Sequence, residues 1–173
     1  MIRCVSAERR ASPRRRVSAR PTQFRSAQSG SGGSVPSTFA TGYLYAGLGY
    51  TTAFDAAVPP LAARHAHEEL EDTPIIDKGF YVLMGNNHYV MKQLAAGEPG
   101  RLKAYIAWLL QSTKGYAAKL VNPGGVEVWK SGGGNARGID STVDHFDVTP
   151  RQIIQGVART VQELGLPHPV HIH

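Results

Sequence analysis

A chain of 173 residues with 42% apolar, 18% charged and 8% aromatic residues has the length of one ordinary domain and enough apolar material for a core. Every apolar run is short and broken by Lys, Arg, Glu, Pro or Gly, which excludes the roughly 20 continuous apolar residues of a membrane-spanning helix. Cys4 is the one cysteine; it excludes an intramolecular disulfide and a multi-cysteine metal site, and the default expectation is a reducing, cytoplasmic compartment.

The net charge of +6 is unevenly placed. Residues 1–35 hold eight of the 19 basic residues and one of the 13 acidic ones, a net +7, whereas the remainder holds eleven and twelve, a net −1. The domain itself therefore offers no positive field to steer it toward phosphate, and a nucleic-acid partner is not expected. Residues 1–35 are mostly Arg, Ser, Ala, Gly and Pro, too poor in large apolar side chains to offset their ordering entropy, and read as a disordered tail. Three origins fit that composition: a frame-shifted start in a GC-rich gene, an organellar targeting segment, or an RNA-binding basic arm.

Residues 36–173 read as the folded part. Tyr50 to Val58 is a β-branched and aromatic run stopped by Pro59-Pro60, and Leu61 to Leu70 follows as a short helix. Gly79 to Met84 is a second buried strand that ends in the polar turn Gly85-Asn-Asn-His88. Arg101 to Lys114 carries Leu102, Tyr105, Ile106, Leu109 and Leu110 at helical spacing, with Gly115 expected to close the helix. Ala117 to Val121 is a third strand, followed by Asn122-Pro-Gly-Gly125 and a glycine-rich excursion read as a long loop. Thr149-Pro-Arg-Gln152 is a capping box that starts a helix ended by Gly165. Pro169 to His173 forms a last strand. Alternating strands and helices imply parallel βαβ units, hence either a doubly wound sheet or a barrel; four strands are about half of the eight in a TIM barrel.

Polar residues on such strands draw notice. A strand covered by helices is dry, so Lys119 is either a surface lysine that snorkels or a desolvated amine able to take up CO2 as a carbamate, a carboxylate that can bridge two metals. His171 and His173 share one strand face and are either exposed histidines or metal ligands. Asn86, Asn87 and His88 follow a strand's C-terminal end, where barrel enzymes bind substrate, although loop capping is an equal reading. His65 and His67 point about 200° apart on a helix and cannot clasp one metal. Gly124 to Ser131 is not a phosphate loop, because Trp129 stands where glycine must precede Lys-Ser.

Seven blocks occur in order: Pro36-Ser-Thr-Phe-Ala-Thr-Gly-Tyr43, Leu48-Gly-Tyr-Thr-Thr52, Asp72-Thr-Pro-Ile-Ile-Asp-Lys-Gly-Phe80, Leu83-Met-Gly-Asn-Asn-His88, Lys119-Leu-Val-Asn-Pro-Gly-Gly125, Val148-Thr-Pro-Arg-Gln152 and Leu164-Gly-Leu-Pro-His-Pro-Val-His-Ile-His173. Together they closely resemble the A-type subunits of formylmethanofuran dehydrogenase, a family whose bacterial relatives serve in a formyltransferase/hydrolase complex. That family is similar to the amidohydrolases, which implies an α/β fold, here an incomplete (β/α)8 TIM barrel of about four βα units. It also implies a binuclear zinc centre with a carboxylated lysine. By resemblance Lys119 matches the lysine that becomes the carbamate bridge and His173 the family histidine, with His171 beside it; Asn86, Asn87 and His88 are the substrate-binding candidates. The first-strand HxH pair and the catalytic aspartate have no counterpart in the sequence. The implied activity is formation or hydrolysis of the N-formyl amide of methanofuran in one-carbon metabolism, with the other members of the complex as partners. Two alternatives stand beside it: an inactive product of a truncated or frame-shifted gene, and an RNA-binding protein acting through its basic tail.

Overall fold

The computed structural model describes residues 38–130, 132 and 138–173. The expected disordered tail over residues 1–35 and the triple glycine Gly132–Gly134, apart from Gly132, lie outside the described residues. In chain order the elements are α1 (Thr38–Gly47), β1 (Thr52–Val58), a 3-10 turn (Pro60–Ala62), α2 (Ala63–Glu71), β2 (Asp77–Leu83), α3 (His88–Ala95), α4 (Pro99–Thr113), β3 (Ala117–Leu120), α5 (Gly125–Lys130), α6 (Pro150–Glu163) and β4 (His171–Ile172). No described helix is long and apolar enough to cross a membrane.

The strands lie in one sheet in the order β1-β2-β3-β4. β2 pairs with β3 and β3 with β4, both in parallel. This strictly sequential order separates the two architectures left open by the pattern. A doubly wound sheet reverses its order at a switch point, whereas a barrel adds each strand beside the last. The fold is α/β, with the strand sequence of an incomplete (β/α)8 barrel.

Local chemistry explains most boundaries. Thr149 accepts the Gln152 N–H while the Gln152 side chain accepts the Thr149 N–H, the complete capping box that the sequence predicts for α6. Asn87 caps α3 by accepting from the N–H groups of Tyr89 and Val90. At the end of α4 the left-handed residue is Lys114, with φ 50°, and not the expected Gly115. Thr113 Oγ1 donates to the Leu109 carbonyl in the last turn of α4. Two helices depart from the sequence reading. Thr38–Gly47 is helical despite its threonines and glycines, and Gly125–Lys130, read as loop, forms the short helix α5.

The described residues fall into two compact units. The first comprises the described part of Met1–Ala56 together with Arg64–Phe80. It buries Tyr45, Ala53, Ala66, Leu70, Ile76 and Phe80. Gly42 of α1 is essential to its packing, because a Cβ there would stand 2.2 Å from the Pro74 carbonyl oxygen. The second unit comprises Ala57–Ala63 and Tyr81–His173. Its core is Val82, Met84, Val90, Met91, Ile106, Leu120, Ile153 and Val157, under helices α3, α4 and α6, which pack on one another. Gly156 lets α6 approach α3, since a Cβ there would lie 2.3 Å from Leu94 Cδ2.

Candidate metal centre

The candidate residues Lys119, His171, His173, Asn86, Asn87 and His88 belong to the second unit. Register puts Lys119 and His171 on one face: Tyr81 lies opposite Ala117, Leu83 opposite Lys119, and Lys119 opposite His171. The Lys119 side chain is 1% exposed, which decides between the two readings of that residue: it does not snorkel. Its Nζ meets His171 Nδ1 at 2.6 Å. Desolvation, then the neighbouring Lys119 charge, then His173, holds the His171 imidazole below its ordinary pKa. The His171 ring lies nearly flat on Tyr81, with centroids 4.8 Å apart and planes at 15°.

His173 is placed differently. Its backbone prolongs the β4 ladder, with its N–H donating to the Leu120 carbonyl and its own carbonyl accepting from Asn122, while its side chain is exposed. The strand proper is shorter than the Pro169–His173 run read from sequence, spanning only His171–Ile172. Of the three proposed donors, the fold therefore brings Lys119 and His171 into contact.

The loops beyond β2 and β3 are laced together beside this pair. Asn86 Nδ2 donates to the carbonyls of Val121 and Asn122, and Asn86 Oδ1 accepts from the Val126 N–H. Asn87, besides capping α3, donates to the Tyr105 hydroxyl. His88 Nε2 lies 2.9 Å from Glu127 Oε1, and its ring packs 5.0 Å from that of Phe146. Glu127 is 7% exposed and also accepts from Lys130 Nζ at 2.9 Å. The hydrogen bonds from His88 and Lys130 hold its carboxyl below the usual carboxylate range against the opposing effect of burial. His65 pairs with Glu68 and Glu69, and the ring of His67 meets Phe80 edge-on, so neither approaches a metal-clasping arrangement.

Comparison with known proteins fixes the family. Residues 11–172 match the model of the amidohydrolase family. The chain is an amidohydrolase family member. Among curated relatives it is 50% identical over 146 residues to protein FwdA of Methanocaldococcus jannaschii, covering 84% of this chain and 26% of that one. It is 32% identical over 130 residues to the A-type subunit of the formyltransferase/hydrolase complex Fhc of Methylorubrum extorquens, covering 75% of this chain and 24% of the relative. The crystal structure of the M. extorquens FhcABCD complex with methylofuran superposes with a TM-score of 0.75 at 30% identity, over 89% of this chain and 28% of that one. The chain thus spans about a quarter of the length of the curated relatives it matches. The resemblance carried by the seven sequence blocks stands, as does the barrel it implied.

Amidohydrolases are generally metal-dependent, and two features of this member suit that chemistry. A buried amine in hydrogen-bond contact with an imidazole places a nitrogen donor and a potential carbamate side by side. Among the described residues no group of three or more His, Cys, Asp or Glu side chains is assembled to hold a metal ion. The sequence reading had named Lys119 and His171 as candidates. It missed Glu127, whose only signal was a carboxylate inside a glycine-flanked segment, and Tyr81, which looked like an ordinary strand aromatic.

Proposed function

We propose that this amidohydrolase chain is part of an A-type subunit that forms or hydrolyses the N-formyl amide of a methanofuran-type amine, working with the other members of a formylmethanofuran dehydrogenase or formyltransferase/hydrolase complex. The observation that carries the reading is the buried Lys119 with its Nζ 2.6 Å from His171 Nδ1. The named relatives support the substrate class and the partners. The domain boundary at residue 36 belongs to the same proposal, as does a cytoplasmic site of action.

In this reading Lys119, His171 and the neighbouring His173 hold part of a zinc centre. When bound, zinc supplies Lewis acidity toward a formyl carbonyl and lowers the pKa of water. The protein's own contribution begins at Lys119. Its amine adds to CO2, forming an N–C bond and releasing one proton, and His171 Nδ1 is near enough to accept that proton. The resulting carbamate is an oxygen donor fixed to the middle of a buried strand, where it cannot swing away. Asn86 ties the β2 and β3 loops so that the open end of the pair keeps its shape. Asn87 and His88 stand on that same rim, where they meet the substrate.

Zinc titration followed by calorimetry tests the reading. The chain should take up zinc in a saturable step that Lys119→Ala abolishes, and an unchanged zinc affinity and stoichiometry in Lys119→Ala would refute the role given to the lysine.

A further inference from the structure

The metal donors explain why a histidine stands on β4, but not why a tyrosine lies against it. An imidazole on a short, exposed strand has a soft, roughly two-fold χ2 torsion, so neither ring nitrogen is committed to a direction. Metal-ligating histidines are usually fixed by a hydrogen bond from the second ring nitrogen to a carboxylate or carbonyl. Here Nδ1 is turned to Lys119, and what fixes the plane is an aromatic face.

Three observations make this a built arrangement. Tyr81 sits two strands away from β4; its partner on β3 is Ala117, two residues before Lys119, the partner of His171, and the small Ala117 side chain leaves room for the tyrosine ring to lean across β3. The ring then lies on His171 at 4.8 Å and 15°. Tyr81 is itself braced: Tyr116 meets it edge-on at 5.9 Å and 86°, and Tyr116 in turn stacks on His168 at 3.8 Å and 22°. The rings of His168, Tyr116 and Tyr81 thus form a continuous chain of contacts that ends on the β4 imidazole.

We propose that Tyr81 is the positioning residue of His171: its ring sets the plane of the imidazole so that Nδ1 meets Lys119 and Nε2, on the far side of the ring, is presented to a metal ion. The proposal rests on the reading of His171 as a metal donor. The stacking is made by the ring face, which Tyr81→Phe keeps. A tyrosine acting only as packing would change stability, whereas a positioning residue changes metal affinity at constant stability.

The test is cobalt(II) titration of the full chain, read by visible absorption, with thermal melts of each variant. Tyr81→Phe should bind as the unaltered chain does, and Tyr81→Leu should bind about tenfold more weakly, the order of effect found when a group orienting a metal ligand is removed. His171→Ala should bind more weakly still. If Tyr81→Leu binds normally while His171→Ala does not, the positioning role is overturned and the donor reading survives. If His171→Ala binds normally, or the unaltered chain binds no cobalt, the donor reading falls and takes the proposal with it. Should Tyr81→Leu lose its fold, the metal-free unaltered chain decides: the His171 ring protons must be shifted upfield by the tyrosine face in the proton NMR spectrum, and unshifted resonances overturn the proposal.

Discussion

Two ionisable side chains are buried in the described part of the second unit, and they are treated in opposite ways. Glu127 receives what a buried carboxylate requires, two donors at 2.9 Å from His88 and Lys130. Lys119, more deeply buried, meets the His171 imidazole, with Nζ 2.6 Å from Nδ1. A carboxylate so provided for is a structural device that joins the loop after β2 to α5. A buried lysine against an imidazole is the kind of pairing that concentrates at functional sites. Burial alone therefore does not distinguish structure from function; the character of the partner does.

The contrast can be broken at three points. The largest effect is expected at Gly124, which leads into the helix carrying Glu127. It has φ +75°, and a Cβ there would lie 2.3 Å from Val143 Cγ2, so Gly124→Ala combines left-handed strain with a clash. A loss of about 3 kcal/mol in urea unfolding is expected. Next comes Glu127→Gln, which keeps the shape but removes the charge that two donors address, at a cost of about 2 kcal/mol. The pH dependence sharpens this one. Because folding lowers the Glu127 pKa, its contribution is complete above the unfolded-state value and is lost as pH falls through the folded one. The Gln variant should therefore lose part of the acid sensitivity of the parent, and equal acid-unfolding curves would contradict the assignment. The smallest effect belongs to Lys119→Met. A flexible apolar chain of similar length replaces the buried amine and removes its hydrogen bond to His171, so a loss of about 1 kcal/mol is expected. A loss of about 3 kcal/mol, the size expected when one partner of a buried ion pair is removed, would put Lys119 in the same class as Glu127.

Much of this was legible in the sequence because the local signals agreed with one another. The Thr149 to Gln152 box, the stripe of α6 and the β-branched run before Pro59-Pro60 each name their element without help from the rest of the chain. Lys119 was legible because an amine has few places in a covered strand. The pairing of His171 with it was not, since register between β3 and β4 is a tertiary fact. The helix at Gly125–Lys130 was hidden for a different reason. Gly125 is required by the Asn122 side chain, which a Cβ would approach to 2.2 Å, so a glycine that reads as a loop signal is there for close approach. The ring contacts from His168 to His171 join residues of three segments, and no periodicity could announce them.

The strictly sequential strand order also bears on how the sheet is assembled in time. Each pairing closes a connection of modest length: Asn86 reaches a carbonyl 36 positions along the chain, and Lys119 an imidazole 52 positions along. Loop-closure entropy grows only with the logarithm of length, so the longer connection costs roughly 0.3 kcal/mol more than the shorter. The chain between β3 and β4 can therefore lengthen or vary its glycine-rich stretch at almost no thermodynamic cost. Strands that dock in the order of synthesis need not wait for distant partners, so the lysine's strand can be seated before its histidine arrives.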